Sequence, residues 1–588
     1  MSNMKIRLSQ LVGTYGIGAI VDAPGRSLMV CESTWRNMKI IREDRLSHKL
    51  KGKLLYAPVP VEDSSSVISN TVAGSVPLRV FPRYLHCKSC HRIKDFLDWG
   101  DATTTECNEC SEPLIPSRLV VACTNGHLED FPWFFWAHSG GPCSKGGNHR
   151  DITIKSRGLS TSLRDLDVRC SKCLSSRDLG DCMFPGRLAE LGYGNCHAGR
   201  PWSADTNNQE CRATGGEIKV LQRSASNVFF CEKESVISIP PFSGKAFKAI
   251  EKNRMFFDGT SNPDEAYPAK LIENLSKGLG LSVNDLRKAY LCWAKLDDPN
   301  SDFGNIKDDE FDVLISPPLG TGFDDDFHAV GFDYPLPDRL FIKSVTLVHR
   351  LRIVTAQTGF TRIKQGEEGI QPQLITPRAI GLSQDWLPAS EVHGEGIFIQ
   401  FDCSLIKRWL AQVPNDRYLN ALRRASTASR VLSRSNFTPT IPLMCLHTFS
   451  HLLMNELSVS SGYSNSAISE RLYHATDSNG EVKSLGVLIF TSSSDSEGSL
   501  GGLVRQGDDA RLRELIDKVA ASADWCSNDP LCSEVDPVQG QGADGLNLAA
   551  CHTCALVPET ACELSNCFLD RALLVGGLGF TGLFNFDG

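Results

Sequence analysis

The feature that most constrains this chain is its cysteine usage: 22 cysteines, recurring in close Cys-x2-Cys pairs. In a chain held under reducing conditions, thiols at that spacing read as metal ligands rather than disulfides, and zinc is the expected ion. The reducing setting is itself an expectation from the sequence. The start, MSNMKIRLSQLVG, lacks a signal-peptide pattern, and no stretch approaches the ~18 to 20 consecutive apolar residues of a membrane helix. A cytoplasmic location without membrane contact is expected.

Cys87-x2-Cys90 and Cys107-x2-Cys110 stand 16 residues apart, the spacing of a zinc ribbon. In such a ribbon two tight turns bring four sulfurs to ~2.3 Å from one ion. In the next segment, VVACTNGHLEDFPWFFWAHSGGPC, Cys123, His127, His138 and Cys143 could make a mixed Cys2His2 site. The spacing is less standard, and the preferred reading is core or loop residues beside the aromatic cluster Phe131, Trp133, Phe134, Phe135 and Trp136. Cys170-x2-Cys173 with Cys196 and Cys211 reads as a second thiolate site, with Cys182 as a fifth candidate. Near the C-terminus, Cys526, Cys532, Cys551, Cys554 and Cys562, with Cys567 beyond, read as a last site. The favoured tetrad there is Cys532, Cys551, Cys554 and Cys562, with Cys526 able to replace Cys532.

Length and charge bound the rest. At ~150 residues per domain, 588 residues suggest about four structural units. With 41% hydrophobic and 22% charged residues, the chain can bury substantial cores as an ordinary soluble protein. Its 61 basic and 69 acidic residues exclude a uniformly basic coat, so any nucleic-acid surface must be local. The expected architecture is α+β and multidomain, with zinc-ribbon-like modules in the N-terminal third, a β-rich centre and a C-terminal α/β domain closed by a cysteine-rich zinc knot. The boundaries read as a β-rich segment with a glycine loop at 1–80, a ribbon and aromatic segment at 81–150 and a second zinc module at 151–240. A helical, acidic-loop region at 241–340 follows, then a β-rich core with basic helices at 341–440 and the C-terminal zinc domain at 441–588.

Other motifs bear on function. Gly13, Gly16 and Gly18 loosely mimic a dinucleotide fingerprint, but Val21 occupies the third glycine position and another extended run follows, so a structural turn is expected. The acid-rich stretch from Asp297 to Asp333 reads as a solvated loop able to dock a basic partner. Two basic patches, one at residues 343–364 and one at 407–434, are what phosphate contacts would require. Their expected DNA-contacting residues are Arg350, Arg352, Arg362, Arg423, Arg424 and Arg430. His447 and His451 lie four apart on one face of an expected helix, yet position 448 is threonine where a His-Glu-x-x-His protease has glutamate, so packed or polar-network histidines are expected. The alternative enzyme reading is a metal-dependent nuclease using Asp495 and Glu497 with His447, His451 or Glu470. No Walker loop, Gly-x-Ser-x-Gly elbow or zinc-deaminase signature is present, and cysteine-rich closed sites favour structural roles.

Taken together, SQLVGTYGIGAIVD, CTNGHLEDFPW, LQRSASNVFF, GEGIFIQF, HTFSHLLMNELSVSSGYSNSAISERLY, DSEGSLGGLV, WCSNDPLC and LAACHTCALVPETACE resemble the B subunits of the DISARM anti-phage defence system. The C-terminal block is also similar to a domain of unknown function fused to superfamily-two helicases, whose hallmark is a four-cysteine cluster on which Cys551, Cys554 and Cys562 fall. The resemblance implies a non-catalytic accessory subunit that pairs with the helicase DrmA, which supplies ATP turnover. It implies that the pair engages phage DNA while a separate methyltransferase marks the host genome.

Overall fold

The computed structural model describes residues 6–59, 76–101, 103–146, 151–158, 162–203, 210–257, 262–297, 304–317, 326–333, 341–363, 372–379, 381–382, 384–414, 417–420, 439–491, 501–542, 545–577 and 579–586. The fold is mixed α+β with several sheets. The chain forms two compact, discontinuous units. One comprises residues 1–42, 53–234 and 355–390, and the other residues 43–52, 235–354 and 391–588.

The first unit is built from short antiparallel strands. A six-stranded sheet runs in the order Ser176–Asp178, Leu166–Cys170, Ile152–Ser156, Arg92–Asp95, Tyr84–Cys87, Leu114–Pro116. A three-stranded sheet places Leu119–Cys123 between Leu128–Asp130 and Ile218–Gln222, with Cys123 opposite Ile218. The aromatic segment builds one sizeable core with Val121, Phe131, Trp133, Trp136 and Val168, but the first ribbon has only a small one. The cluster under the first ribbon consists of Leu85, Cys87, Trp99, Cys107 and Leu114, so two of its five buried members are themselves cysteines. A core this small needs a covalent or metal staple.

The N-terminal glycines serve packing, as the turn reading requires. Gly18 has φ +92°, and a Cβ there would sit 2.5 Å from the Phe360 ring. Both facts demand glycine.

The second unit has a larger core. Helix Ile441–Ser461 is apolar on all sides and is buried along most of its length, the signature of a central helix. It packs on an antiparallel sheet that includes Val482–Thr491 and Ile468–Thr476, and it is covered further by helix Asp509–Ala523. Both faces of that sheet are buried: Ile397, Ile399, Val487 and Ile489 face the helix, while Phe398, Leu488 and Phe490 face Phe311 and Leu314 on the other side. This is the two-residue period of a strand, with no solvent face.

The acidic stretch is corrected here. Residues Ile306–Ile315 are a helix, not a loop. Asp308 and Asp309 lie in its first turn, where the N-terminal dipole favours negative charge. Glu310 is fully buried and takes a two-pronged hydrogen bond from Arg471, at 2.6 and 3.0 Å, plus one from the Tyr473 hydroxyl at 3.1 Å. Asp326 pairs with Lys248 at 2.8 Å. Glu310 and Asp326 are therefore engaged internally rather than presented to a partner. Asp324 and Asp325 lie outside the described residues.

Candidate metal centres

The cysteine pairs are preorganised by one repeated local turn. Cys87 and Cys170 each end a strand, and the residue after the second cysteine of the pair reverses the chain. His91 (φ 62°), Ser111 (φ 55°) and Leu174 (φ 66°) all adopt the left-handed region. Each donates its backbone N–H to the carbonyl of the first cysteine, at 3.0, 2.8 and 3.0 Å respectively. Non-glycine residues rarely take positive φ, so three identical turns mark a geometry required by both sulfurs.

Among the described residues, four Cys-rich groups result, the ligand atoms of each lying within 4.8 Å of one another, and each could hold a metal ion. They are Cys87, Cys90, Cys107 and Cys110; Cys123, His127, Cys196 and Cys211; His138, Cys143, Cys170 and Cys173; and Cys526, Cys532, Cys551 and Cys554. Two sulfurs each ~2.3 Å from one tetrahedral ion are roughly 3.8 Å apart. The Sγ–Sγ distances agree: 3.9 Å for Cys90 to Cys107, 3.9 Å for Cys123 to Cys211, 3.6 Å for Cys526 to Cys551 and 3.8 Å for Cys532 to Cys554. All are far from the ~2.05 Å of a disulfide.

The ribbon forms as expected, whereas the two middle sites exchange halves. Cys170 and Cys173 join His138 and Cys143, while Cys196 and Cys211 join Cys123 and His127. The physical reason is strand register: pairing Cys123 with Ile218 carries the chain just before that strand, at Cys211, back to Cys123. His138 caps helix Trp133–Ala137, and the Ser175 hydroxyl donates to the Ala137 carbonyl at 2.8 Å, which holds the helix end over the Cys170 turn. His138 and Cys143, read as core or loop residues, thus belong to a group that could hold a metal ion. Cys182 is buried outside every group found among the described residues.

The C-terminal group is corrected too. Cys526 and Cys532 both enter the tetrad, and Cys562 does not. Cys562 instead lies with His447, His451 and Glu470, its Sγ 3.2 Å from His447 Nε2. Both histidines are 0% exposed.

Neighbouring ligands also tune the sulfurs. Hydrogen bonding from Cys196 and then from His127 lowers the Cys123 thiol to about 4, and Cys554 lowers Cys532 to about 5. Their partners Cys196 and Cys554 are pushed up by the same contacts. Without a cation, each cluster therefore holds some thiols ionised only by keeping others protonated; several adjacent thiolates require bound positive charge. At His138, Nδ1 meets the Phe134 carbonyl at 2.8 Å, leaving Nε2 to face Cys173 at 3.2 Å. This is the outer hydrogen bond that orients a metal-binding imidazole.

The expected DNA-contacting arginines fare differently. Arg350 is exposed on strand Ile342–Thr361. Arg352 is only 9% exposed and pairs with Glu391 at 2.9 Å and Ser238 at 3.0 Å. Arg362 is fully buried and donates to the carbonyls of Gly126, Val228 and Gly18 at 2.9, 2.6 and 2.8 Å, with its guanidinium over Trp202 and Phe360. Arg352 and Arg362 are internal, and reading them as phosphate contacts is corrected. Arg423, Arg424, Arg430, Asp495 and Glu497 lie outside the described residues. No helix among the described residues is long and apolar enough to cross a membrane.

Fold and sites together define a cysteine-rich α+β protein whose N-terminal unit and C-terminal end are each organised around closed, metal-capable tetrads. Residues 7–230 match a family described only as a domain of unknown function (DUF8724). Over 546 residues the chain is 32% identical to the DISARM protein DrmB of Bacillus paralicheniformis, covering 86% of this chain and 90% of that protein. The chain belongs to the DISARM DrmB family.

Proposed function

We propose that this chain is a non-catalytic, zinc-binding subunit of a DISARM-type anti-phage complex, pairing with the superfamily-two helicase DrmA and helping it engage phage DNA. The observation that carries the structural role is the donor chemistry. Two groups offer four cysteines and two offer three cysteines with one histidine, the ligand sets of closed structural zinc sites. Catalytic zinc keeps an open position and favours nitrogen and oxygen ligands. Zinc at these positions would fix the loops of the first unit and the C-terminal end; ATP turnover would belong to the helicase. Family membership supports the defence role, and an exposed Arg350 supports a local phosphate contact.

The test is DNA binding by the purified chain, alone and with the helicase, across a salt series. Affinity should rise when the helicase is added. Reversing Arg350, or Arg423 together with Arg424, to Glu should weaken binding and flatten the salt slope by about one for each phosphate no longer neutralised. Affinity and slope unchanged in both variants would remove the DNA-engaging part of this proposal.

A further inference from the structure

Helix Ile441–Ser461, strand Ile468–Thr476 and the loop at Cys562 bring four potential ligands to one point in the second unit, apart from the four Cys-rich tetrads. His447 Nε2 lies 3.1 Å from Glu470 Oε1 and 3.2 Å from Cys562 Sγ, and His451 Nε2 lies 3.5 Å from the same carboxylate oxygen. Two ligands ~2.0 to 2.3 Å from a shared tetrahedral ion stand roughly 3.3 to 3.8 Å apart; the His451 to Glu470 separation falls in that range, and the two made by His447 lie just below it, so a small outward shift of His447 would admit a common ion.

Three further observations distinguish this cluster from an ordinary buried hydrogen-bond network. First, His451 Nδ1 is 2.9 Å from the Ala555 carbonyl, which can only accept, so Nδ1 carries a proton and Nε2 is the ring nitrogen turned to Glu470. That Nε2 is buried without a hydrogen bond and faces a carboxylate oxygen, an arrangement that is repulsive unless positive charge lies between them. Second, Cys562 Sγ accepts backbone N–H groups from Leu564 at 3.3 Å and Asn566 at 3.1 Å. The same contact from the residue two positions on is made to Cys526 by Asn528, at 3.4 Å, and to Cys196 by Ala198, at 3.3 Å. Cys562 therefore sits in the local turn used by cysteines of the tetrads, and Ser565 (φ 54°) and Asn566 (φ 57°) take left-handed backbone to wrap it. Third, the carboxylate is held in place by its own outer contacts: Ser450 Oγ donates to Glu470 Oε2 at 2.5 Å and Glu563 N donates to Oε1 at 3.1 Å.

We propose that His447, His451, Glu470 and Cys562 form a fifth metal site, closed and largely buried, for one divalent transition-metal ion, zinc by its donor set. Two imidazoles, one carboxylate and one thiolate carry two negative charges, which a dication neutralises in an interior that does not tolerate net charge. The ion ties the central helix to the neighbouring strand and to the C-terminal loop. Because Ala555 directly follows Cys554, the loop that orients His451 also carries the C-terminal tetrad, and the two sites form a continuous knot.

The experiment is metal stoichiometry by mass spectrometry on the purified full-length chain, wild type against C562S and E470Q, with C532S as the control for the adjacent tetrad. The proposal expects each of C562S and E470Q to lose one equivalent of metal relative to wild type. In the cobalt-loaded protein, the wild-type minus C562S difference should show tetrahedral d–d bands with a charge-transfer band from a single thiolate. Wild-type and E470Q proteins with equal metal content and superimposable cobalt spectra would overturn it. If C562S does not fold, E470Q decides: a folded E470Q protein that holds as much metal as wild type also overturns it. A wild type whose metal count is insensitive to C532S but falls in C562S and E470Q would refute zinc in that tetrad while retaining this site.

Discussion

His138 Nε2 lies 3.2 Å from Cys173 Sγ, so a ligand on one side of the aromatic segment serves the cysteine turn that follows strand Leu166–Cys170. The consequence is two interleaved sites rather than two successive ones. Metal counting of double variants checks it. Cys143→Ser with Cys173→Ser should lose one equivalent, because both serve one ion. Cys173→Ser with Cys211→Ser should lose two. A loss of one in the second variant would restore the consecutive pairing of Cys170, Cys173, Cys196 and Cys211.

Arg362 is a structural clamp, and its variants should report stability rather than DNA affinity. It holds three carbonyls from separate segments of the first unit. Arg362→Met would leave those acceptors buried without donors, at a cost on the order of 3–5 kcal/mol. Arg362→Lys should rescue little, since an ammonium lacks the planar fork that reaches all three. Denaturant unfolding measures the loss, and the salt slope of DNA binding by the folded variant should match wild type.

The cysteine turns were legible because they are local: Cys-x2-Cys specifies a turn within a few residues, and the structure repeats it at Cys87, Cys107 and Cys170. Pairing the turns was not legible. Cys123 meets Cys211 because Leu119–Cys123 registers with Ile218–Gln222, a choice made by strand pairing across a long stretch of chain. The mixed α+β class and the helix that carries His447 and His451 were legible in the same way as the turns. The arginines misled for the converse reason. Alternating charge along Ile342–Thr361 resembles a solvated face, and only distant carbonyls and carboxylates reveal that Arg352 and Arg362 point inward. The same applies to Glu310, whose partner Arg471 is far away in sequence.

Asp130 gives a pH-dependent prediction. Burial raises its carboxyl to about 7, against the backbone N–H groups of Arg83 and Tyr84 that its Oδ1 accepts at 2.8 and 3.4 Å. An acid that binds its proton more tightly when folded costs stability above its unfolded value, so this group destabilises progressively from about pH 4 to about pH 7. Asp130→Asn keeps an oxygen for the two N–H groups and removes the charge. The variant's Tm should exceed wild type by a few degrees at pH 8, and the difference should shrink toward pH 5. Comparing variant with wild type at each pH cancels the proton-linked release of metal common to both. A difference that is constant across the range would show that Asp130 does not titrate as described.

Metal removal should act on the two units unequally. Once its cysteines are set aside, the ribbon core retains buried Leu85, Trp99 and Leu114 with half-buried Phe96, which is too little apolar burial to offset chain entropy. In sites of this kind the metal-binding free energy, roughly 10–16 kcal/mol, is also folding free energy. Strands Ile342–Thr361 up to Val354 and Val482–Thr491, by contrast, lie in an extensive apolar core. After chelation, amides of Tyr84–Cys87, Arg92–Asp95 and Leu114–Pro116 should lose hydrogen-exchange protection, while those of Val482–Thr491 keep most of theirs. Protection in the three ribbon-side strands that survives full metal removal would mean that packing alone holds them, and the tetrads would then need another role.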